Sequence, residues 1–194
     1  KKVIPIVLKG HDLIAVSATG TGKTHAFLIP LMEMININEN CVQAVITAPT
    51  RELAMQIYQN SLIMKKALPA LNIKLISGGT NRQKVSEKLK VQPHIVIGTP
   101  GRIKDLFLQE ETLLVNTAKI MVIDEGDMTL EYGFMDDIDA IAGKMGKKLQ
   151  MLVFSATIPQ GLKPFLKKYM HQPKTIKVDE SLKFSPQIDH ILIP

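Results

Sequence analysis

The clearest chemical signal in this sequence lies in Ser17-Ala18-Thr19-Gly20-Thr21-Gly22-Lys23-Thr24. The segment follows an apolar run and opens a stretch of helical composition, as a phosphate-binding loop does. Its two glycines let backbone N–H groups curl around phosphates, and the N-terminus of the following helix favours negative charge. We expect Lys23, on an exposed loop, to neutralise the β- and γ-phosphates and Thr24 to ligate Mg²⁺. A glycine-rich structural turn is the alternative.

A second reactive segment, Asp124-Glu125-Gly126-Asp127, comes directly after the apolar run Ile120-Met121-Val122-Ile123. An aspartate at the end of such a strand can hold Mg²⁺ through water, and the adjacent glutamate can orient and deprotonate an attacking water. Asp127 is then available to couple this site to another part of the molecule. Acidic residues after a strand are also common helix caps, but a phosphate loop in the same chain favours the catalytic interpretation. We interpret the nearby Asp136, Asp137 and Asp139 as a solvated helix face.

Short apolar runs alternate with segments of helical period, which predicts βα units around a parallel sheet. The carboxyl ends of parallel strands share one edge, where ligands bind. The polar segments that follow five of the predicted strands should therefore meet there; they begin at Ser17, Ala48, Gly98, Asp124 and Ser155. The predicted strands are 13–16, 44–47, 74–76, 95–97, 120–123, 151–154, 175–178 and 190–193. The predicted helices are 26–35, 52–67, 82–90, 103–108, 135–145 and 160–169.

Composition narrows the class of protein. A chain of 194 residues with 45% hydrophobic residues fits one α/β domain. The single cysteine, Cys41, excludes a disulfide framework and a thiolate metal cluster, and it favours a reducing, cytoplasmic setting. Neither a membrane span nor a signal peptide is visible. The net charge of +6 permits a polyanionic partner without requiring one.

Five segments together carry a family resemblance. They are Pro49-Thr50-Arg51-Glu52-Leu53-Ala54, Gly78-Gly79, Thr99-Pro100-Gly101-Arg102, Asp124-Glu125-Gly126-Asp127 and Ser155-Ala156-Thr157. In order and approximate spacing they resemble the first RecA-like domain of DEAD-box RNA helicases, over nearly the whole chain. The resemblance implies an α/β, RecA-like fold, with a mostly parallel central sheet flanked by helices on both faces, and the use of ATP and Mg²⁺. More narrowly, the chain looks like a bacterial helicase with ribosome-assembly or RNA-decay partners.

The resemblance also implies an RNA surface made from the first three segments. They offer hydroxyls, exposed backbone N–H groups, helix starts and guanidinium groups suited to phosphate and sugar contacts. Thr99 followed by Pro100 equally fits an ordinary helix cap with proline in the first turn. Ser155 and Thr157 could bond to Asp127 and report the nucleotide state to the RNA face. A helix cap before Pro159 is the alternative for these two hydroxyls.

Two departures from the family pattern affect the expected activity. Gly126 stands where the family has alanine, which should loosen the backbone by ~1 kcal/mol and reduce activity without abolishing it. The family's adenine-recognition element is expected before Lys1, and its second RecA-like lobe after Pro194. We therefore expect residues 1–194 to be one half of an ATP-driven RNA helicase. A DNA translocase with the same core and a non-catalytic, ATP-dependent RNA clamp are the alternatives.

Overall fold

A single parallel sheet organises the computed structural model, which describes residues 2–18, 20–76 and 91–177. The strands follow the order β3-β4-β2-β5-β6-β1-β7, and every neighbouring pair in the described part is parallel. The strands are β1 Leu13–Val16, β2 Ala44–Thr47, β3 Ile73–Ile76, β4 Ile95–Gly98, β5 Ile120–Ile123, β6 Gln150–Ser155 and β7 Lys174–Lys177. The predicted βα architecture is confirmed.

The helices connect these strands. In the described ranges they are α1 Val3–Leu8, α2 Lys23–Met34, α3 Arg51–Lys65, α4 Pro100–Lys104, α5 Gly126–Glu131, α6 Met135–Ala142 and α7 Lys163–Tyr169. Asp105–Gln109 forms a wider, π-helical turn, and Val115–Thr117 and Gln160–Leu162 are 3₁₀ turns. No helix in the described part of the chain is long and apolar enough to cross a membrane. The predicted helix at 82–90 and the predicted strand at 190–193 lie outside the described residues.

Two apolar clusters hold the layers together, one on each face of the sheet. On β2, Val45 belongs to the cluster that includes residues of α6 and α7. The neighbouring strand residues Ala44 and Ile46 belong to the cluster that includes residues of α1, α2 and α3. Because successive side chains point to opposite faces, a strand covered on both sides must be apolar throughout. The observed helices on both faces therefore explain the uninterrupted apolar runs.

The carboxyl ends of the strands lie on one edge because all the described strands are parallel. At this edge β4 closely approaches β3. A Cβ atom on Gly98 would lie 2.2 Å from the carbonyl oxygen of Ile76, so only glycine fits there. This contact places the segment that begins at Thr99 beside the segments that follow the other strands. The predicted common edge is confirmed for the described residues.

Candidate active site

The loop between β1 and α2 folds tightly upon itself. Gly20 and Gly22 have φ angles of 84° and 82°, in the left-handed region that favours glycine. The hydroxyl groups of Ser17 and Thr21 lie 3.0 Å apart, and Thr21 also donates to the carbonyl oxygen of Ala18 at 3.0 Å. Helix α2 begins immediately after Gly22, so its first N–H groups face the loop. Thr19 lies outside the described residues.

Lys23 turns inward rather than outward. Its Nζ donates to Glu125 Oε1 at 3.0 Å and to the carbonyl oxygen of Ser17 at 3.2 Å. The exposed fractions of the Lys23 and Glu125 side chains are 8% and 7%. The expectation of an exposed lysine was wrong, because the loop closes over the end of β5, where Glu125 neutralises the ammonium group. The structure thus joins the two reactive segments by an ion pair.

Asp124 and Glu125 follow β5 and are both buried. Burial, and then the negative charge of Glu125, raise the pKa of Asp124 to about 6, while the charge of Lys23 acts in the opposite direction. Glu125 itself adopts φ 50° and ψ 59°, a left-handed conformation that is costly for a residue with a side chain. This conformation turns the chain from β5 into α5. Such strain is common at sites where a side chain must be held in place.

Two pockets flank Lys23. One, of about 280 Å³, lies between the loop, the end of β5 and α3; we call it the acidic cleft. Its lining residues are Gly20, Gly22, Lys23, Thr24, His25, Leu53, Gln56, Ile57, Asn60, Asp124 and Glu125. The other pocket, of about 380 Å³, lies between the loop and α1, β1, β6 and β7. It is lined by Lys2, Val3, Ala15, Ser17, Thr21, Gly22, Lys23, Ala26, Phe154, Ile176 and Lys177.

The acidic cleft contains the oxygen atoms that a hard divalent cation prefers. The Thr24 hydroxyl and the Asp124 carboxylate are ligand types suited to Mg²⁺. Within the described ranges no group of three or more His, Cys, Asp and Glu residues can hold a metal ion. An ion bound here would therefore take most of its ligands from phosphates and water, as Mg²⁺ commonly does.

Asp127 links α5 to the segment that follows β6. Its backbone N–H donates to Ser155 Oγ at 2.9 Å, and Thr157 donates to Asp127 Oδ2 through both its N–H and its hydroxyl, each at 3.0 Å. Burial opposes ionisation of Asp127, but the hydrogen bonds from Thr157 and Ser155 outweigh it and lower the pKa of Asp127 below its usual value. The predicted contact between these residues is present; its coupling role stays a prediction. The 3₁₀ turn after Pro159 has no side-chain cap, whereas Ser155 Oγ accepts from the N–H of Asp127 in the first turn of α5.

A groove of about 520 Å³ brings together two of the three predicted RNA-binding segments. It is lined by Pro49, Thr50, Arg51, Glu52, Thr99, Gly101, Arg102, Asp105 and Phe134. The Thr50 hydroxyl accepts from the N–H of Leu53 at 3.2 Å and so caps α3, whereas the Thr99 side chain makes no capping bond. Pro100 is buried as the first residue of α4. Gly78 and Gly79 lie outside the described residues.

The two arginines of this groove differ in exposure and in ion pairing. Arg51 is exposed and has no ion pair or hydrogen bond from its side chain within the described part of the chain. The Arg102 side chain is only 11% exposed and donates to Glu110 Oε1 at 2.9 Å. Only Arg51 has its charge fully available to a phosphate. Sequence reasoning treated the two residues alike, because Glu110 is eight positions away in an irregular segment.

Comparison with known proteins agrees with this arrangement. The family model for the DEAD/DEAH box helicase matches residues 1–165. The chain belongs to the DEAD/DEAH box helicase family. It is 53% identical over its whole length to the DEAD-box ATP-dependent RNA helicase CshB of Bacillus subtilis, and 52% identical over 98% of its length to CshB of Listeria monocytogenes. The chain spans 44% of the length of each of these relatives.

Solved DEAD-box structures confirm the RecA-like fold. A DEAD box protein from the hyperthermophile Methanococcus jannaschii superposes with a TM-score of 0.78 at 35% identity, over 92% of this chain and 48% of that one. Saccharomyces cerevisiae Dbp5, in a structure bound to Nup159, Gle1, IP6 and ADP, gives a TM-score of 0.80 at 28% identity, over 91% of this chain and 46% of that one.

The acids of α6 in this DEAD-box domain are not a simple solvated face. Asp137 forms an ion pair with Lys104 of α4. Asp139 accepts from Lys168 Nζ and from the Tyr169 hydroxyl, each at 2.7 Å. Asp136 is exposed, as expected. The prediction was wrong for Asp137, whose side chain is only 19% exposed, because its partner lies in another helix, which helical period does not reveal. The Asp139 side chain is 44% exposed, as expected, although it also has a partner in another helix.

The sequence interpretation also missed the polar side chains that α2 and α3 present to the acidic cleft. His25, Gln56 and Asn60 line it together with Asp124 and Glu125. Gln56 and Asn60 are four residues apart in a predicted helix, so their common face was visible in the sequence. What the sequence did not show is that this face looks toward the end of β5.

Proposed function

We propose that this domain is the ATP-binding lobe of an RNA helicase, which couples ATP binding and hydrolysis to local destabilisation of RNA duplexes. The observation that carries the proposal is the contact of 3.0 Å between Lys23 of the phosphate loop and Glu125 after β5. It joins a cation suited to phosphates to a carboxylate suited to activating water. The names of the CshB relatives, which are ATP-dependent RNA helicases, support the same assignment.

In this proposal the nucleotide lies along the loop between the two pockets that flank Lys23. Backbone N–H groups of residues 17–24 hold the phosphates, and Lys23 neutralises the β- and γ-phosphates. Thr24 and Asp124 would hold Mg²⁺, which when bound neutralises charge that develops on the phosphates. The donor set fits this ion, because Asp124 and Glu125 together carry one more charge than Lys23 offsets.

Glu125 is the proposed general base. Its side chain must orient a water molecule and accept a proton from it. The left-handed backbone at Glu125 and the ion pair with Lys23 hold the carboxylate at the acidic cleft. Asp127 is close along the chain but points to Thr157 instead. We propose that Asp127, Ser155, Ala156 and Thr157 form the connection through which the nucleotide site and the RNA surface affect each other.

The groove lined by Thr50, Arg51, Thr99 and Gly101 is the proposed RNA surface in the described part of the domain. In this proposal its hydroxyl, backbone and guanidinium groups contact phosphates and sugars rather than base edges. RNA binding should therefore depend strongly on salt and weakly on sequence. Gly78 and Gly79 complete this surface in the proposal, together with Pro49, Pro100 and Arg102.

The complete protein, in this proposal, contains a second RecA-like lobe that supplies further RNA contacts and arginines to the γ-phosphate. The proposal rests on the family membership and on the fraction of the CshB relatives that this chain spans. We also propose a cytoplasmic setting, in agreement with the single free cysteine, and partners that act in ribosome assembly or RNA decay.

The experiment is a measurement of ATP turnover by the complete protein without nucleic acid, with single-stranded RNA, and with DNA of the same sequence. We expect stimulation by RNA and not by DNA, because the 2′-OH distinguishes the two polymers. The Lys23→Ala protein is the control for contaminating ATPases. Equal stimulation by DNA would favour a translocase, and tight ATP-dependent RNA binding without turnover would favour a clamp; either result contradicts the proposal.

A further inference from the structure

Helix α3 presents two amide side chains to the acidic cleft. Gln56 and Asn60 are four residues apart, hence on one helical face, and both line the cleft with Asp124 and Glu125. Neither amide side chain has a hydrogen-bond partner in the described part of the chain. Gln59, next to Asn60, is exposed and does not line the cleft. The two cleft amides are therefore placed to act on something within it.

The helix that bears these amides is held firmly. Thr50 caps its first turn, and Ala54 and Ile57 are buried in the apolar cluster on that face of the sheet. The Ser61 hydroxyl donates to the carbonyl oxygen of Tyr58 at 2.6 Å in the last turns. The backbone positions of Gln56 and Asn60 relative to the two carboxylates are thus set by the core.

The size and chemistry of the acidic cleft favour water between α3 and the carboxylates. Its volume of about 280 Å³ has room for about nine water molecules at ~30 Å³ each. Mg²⁺ releases its water reluctantly and keeps several water ligands in protein sites. An amide can accept a hydrogen bond from such a water through its oxygen and donate to another through its NH₂ group. Groups that orient the ligands of a metal ion strongly affect the affinity of the site for that ion.

We propose that Gln56 and Asn60 are positioning residues that hold, by hydrogen bonds, the water ligands of a Mg²⁺ ion bound with nucleotide at Thr24 and Asp124. The inference rests on the proposed function of the loop and the carboxylates. It adds α3, the same helix whose first residues line the RNA groove, to the nucleotide site.

The test measures binding of a fluorescent ADP analogue to the complete protein over a titration with Mg²⁺, so that no turnover is required. Gln56→Ala combined with Asn60→Ala should raise the half-saturating Mg²⁺ concentration about tenfold. Nucleotide affinity in the presence of a chelator should not change, because no direct contact with the nucleotide is removed. Gln59→Ala is the matched control, an exposed amide on the same helix, and should behave as the unsubstituted protein.

An unchanged half-saturating Mg²⁺ concentration in the double variant would overturn the inference, as would an equal shift in Gln59→Ala. In the same assay, the Lys23→Ala protein tests the proposed function separately. If Lys23→Ala binds the nucleotide as tightly as the unsubstituted protein, the loop itself is misassigned. If Lys23→Ala loses binding while the double variant behaves normally, only the role of Gln56 and Asn60 is wrong.

Discussion

Three charges meet where the phosphate loop approaches the end of β5: the ammonium of Lys23 and the carboxylates of Asp124 and Glu125. Lys23 bonds to Glu125, which leaves Asp124 buried beside a like charge. Burial first, and then the charge of Glu125, raise the pKa of Asp124. A bound cation would stabilise a folded site that holds this excess of buried negative charge. This charge therefore favours the binding of nucleotide together with Mg²⁺.

Lys23→Ala should abolish useful Mg²⁺-nucleotide binding and also lower the free energy of unfolding, by about 3 kcal/mol, because it leaves Glu125 buried without its cation. Binding titrations and urea unfolding measure the two effects. Adding Glu125→Gln to Lys23→Ala should restore much of the stability and none of the binding. Unchanged nucleotide affinity in Lys23→Ala would remove the residue from its assigned role.

Asp124→Asn should stabilise the fold at neutral pH while abolishing ATP turnover. The pKa of Asp124 is about 6 in the folded chain, above the ordinary value of 3.8, so the folded state binds more protons between these values. Its contribution to the free energy of unfolding therefore falls as pH rises from about 4 to 6. We expect the variant to be more stable by about 1 to 3 kcal/mol at neutral pH. Below about pH 4 the difference should disappear; urea unfolding across this range shows whether it does.

Arg51→Ala should reduce the slope of log affinity for single-stranded RNA against log salt by about 0.7, since it removes one phosphate contact. Arg102→Ala should weaken RNA binding too, but with a loss of folding stability, because Arg102 is mostly buried against Glu110. Binding by the complete protein at several salt concentrations, together with thermal unfolding, separates these effects. A normal salt slope for Arg51→Ala would show that this exposed charge does not face the RNA.

Helix α5 begins where left-handed Glu125 precedes Gly126. A Cβ atom on Gly126 would lie 3.3 Å from Val153 Cγ1, slightly closer than a usual van der Waals contact, and at ordinary distances of 3.4 Å from Leu162 Cδ2 and 3.5 Å from Ser155 Oγ. An alanine there needs shifts of only a few tenths of an ångström from its neighbours. It would also narrow the range of backbone conformations between Glu125, the proposed base, and Asp127, the proposed coupling residue.

Gly126→Ala should raise the ATP turnover of the complete protein with little change in nucleotide affinity, because it steadies Glu125 and does not touch the loop. Alanine favours the helix over glycine by up to ~1 kcal/mol, and the close contact with Val153 partly offsets this gain, so the free energy of unfolding should change little. Gly146→Ala is the matched control, since a Cβ there meets nothing within 4 Å. Equal or lower turnover in Gly126→Ala would show that catalysis does not depend on this methyl group.

Uninterrupted apolar runs made the buried strands predictable, whereas the shortest helices and the irregular turns were not. The predicted bounds of β2 and β5 agree with the structure, because each is a buried run that ends at polar residues. Helices α1 and α5 were missed: each has six residues, and α1 contains Pro5, whose position in the first turn makes it compatible with a helix. The burial of Lys23 and the φ angle of Glu125 could not be predicted from the sequence either, because both depend on contacts between distant segments.

At the scale of the whole molecule, the parallel sheet places the two pockets that flank Lys23 and the proposed RNA groove along one edge. The hydrogen bonds between Asp127 and Thr157 connect the segments after β5 and β6 at that edge. The chain spans 44% of the length of its CshB relatives. In our proposal the second lobe lies against this edge.

The isolated 194-residue chain should therefore bind nucleotide weakly and show neither RNA-stimulated ATP turnover nor strand separation. In related phosphoryl-transfer systems, an arginine supplied to the γ-phosphate raises the turnover rate by a factor of about 10³ to 10⁵. Its absence should therefore lower turnover more than any local change in this lobe. RNA affinity should fall as well, since each lost phosphate contact reduces both the affinity and its salt dependence. Turnover and unwinding assays on the chain and on the complete protein, side by side, measure the difference. Robust unwinding by the chain that disappears in Lys23→Ala would show that the active enzyme needs no second lobe.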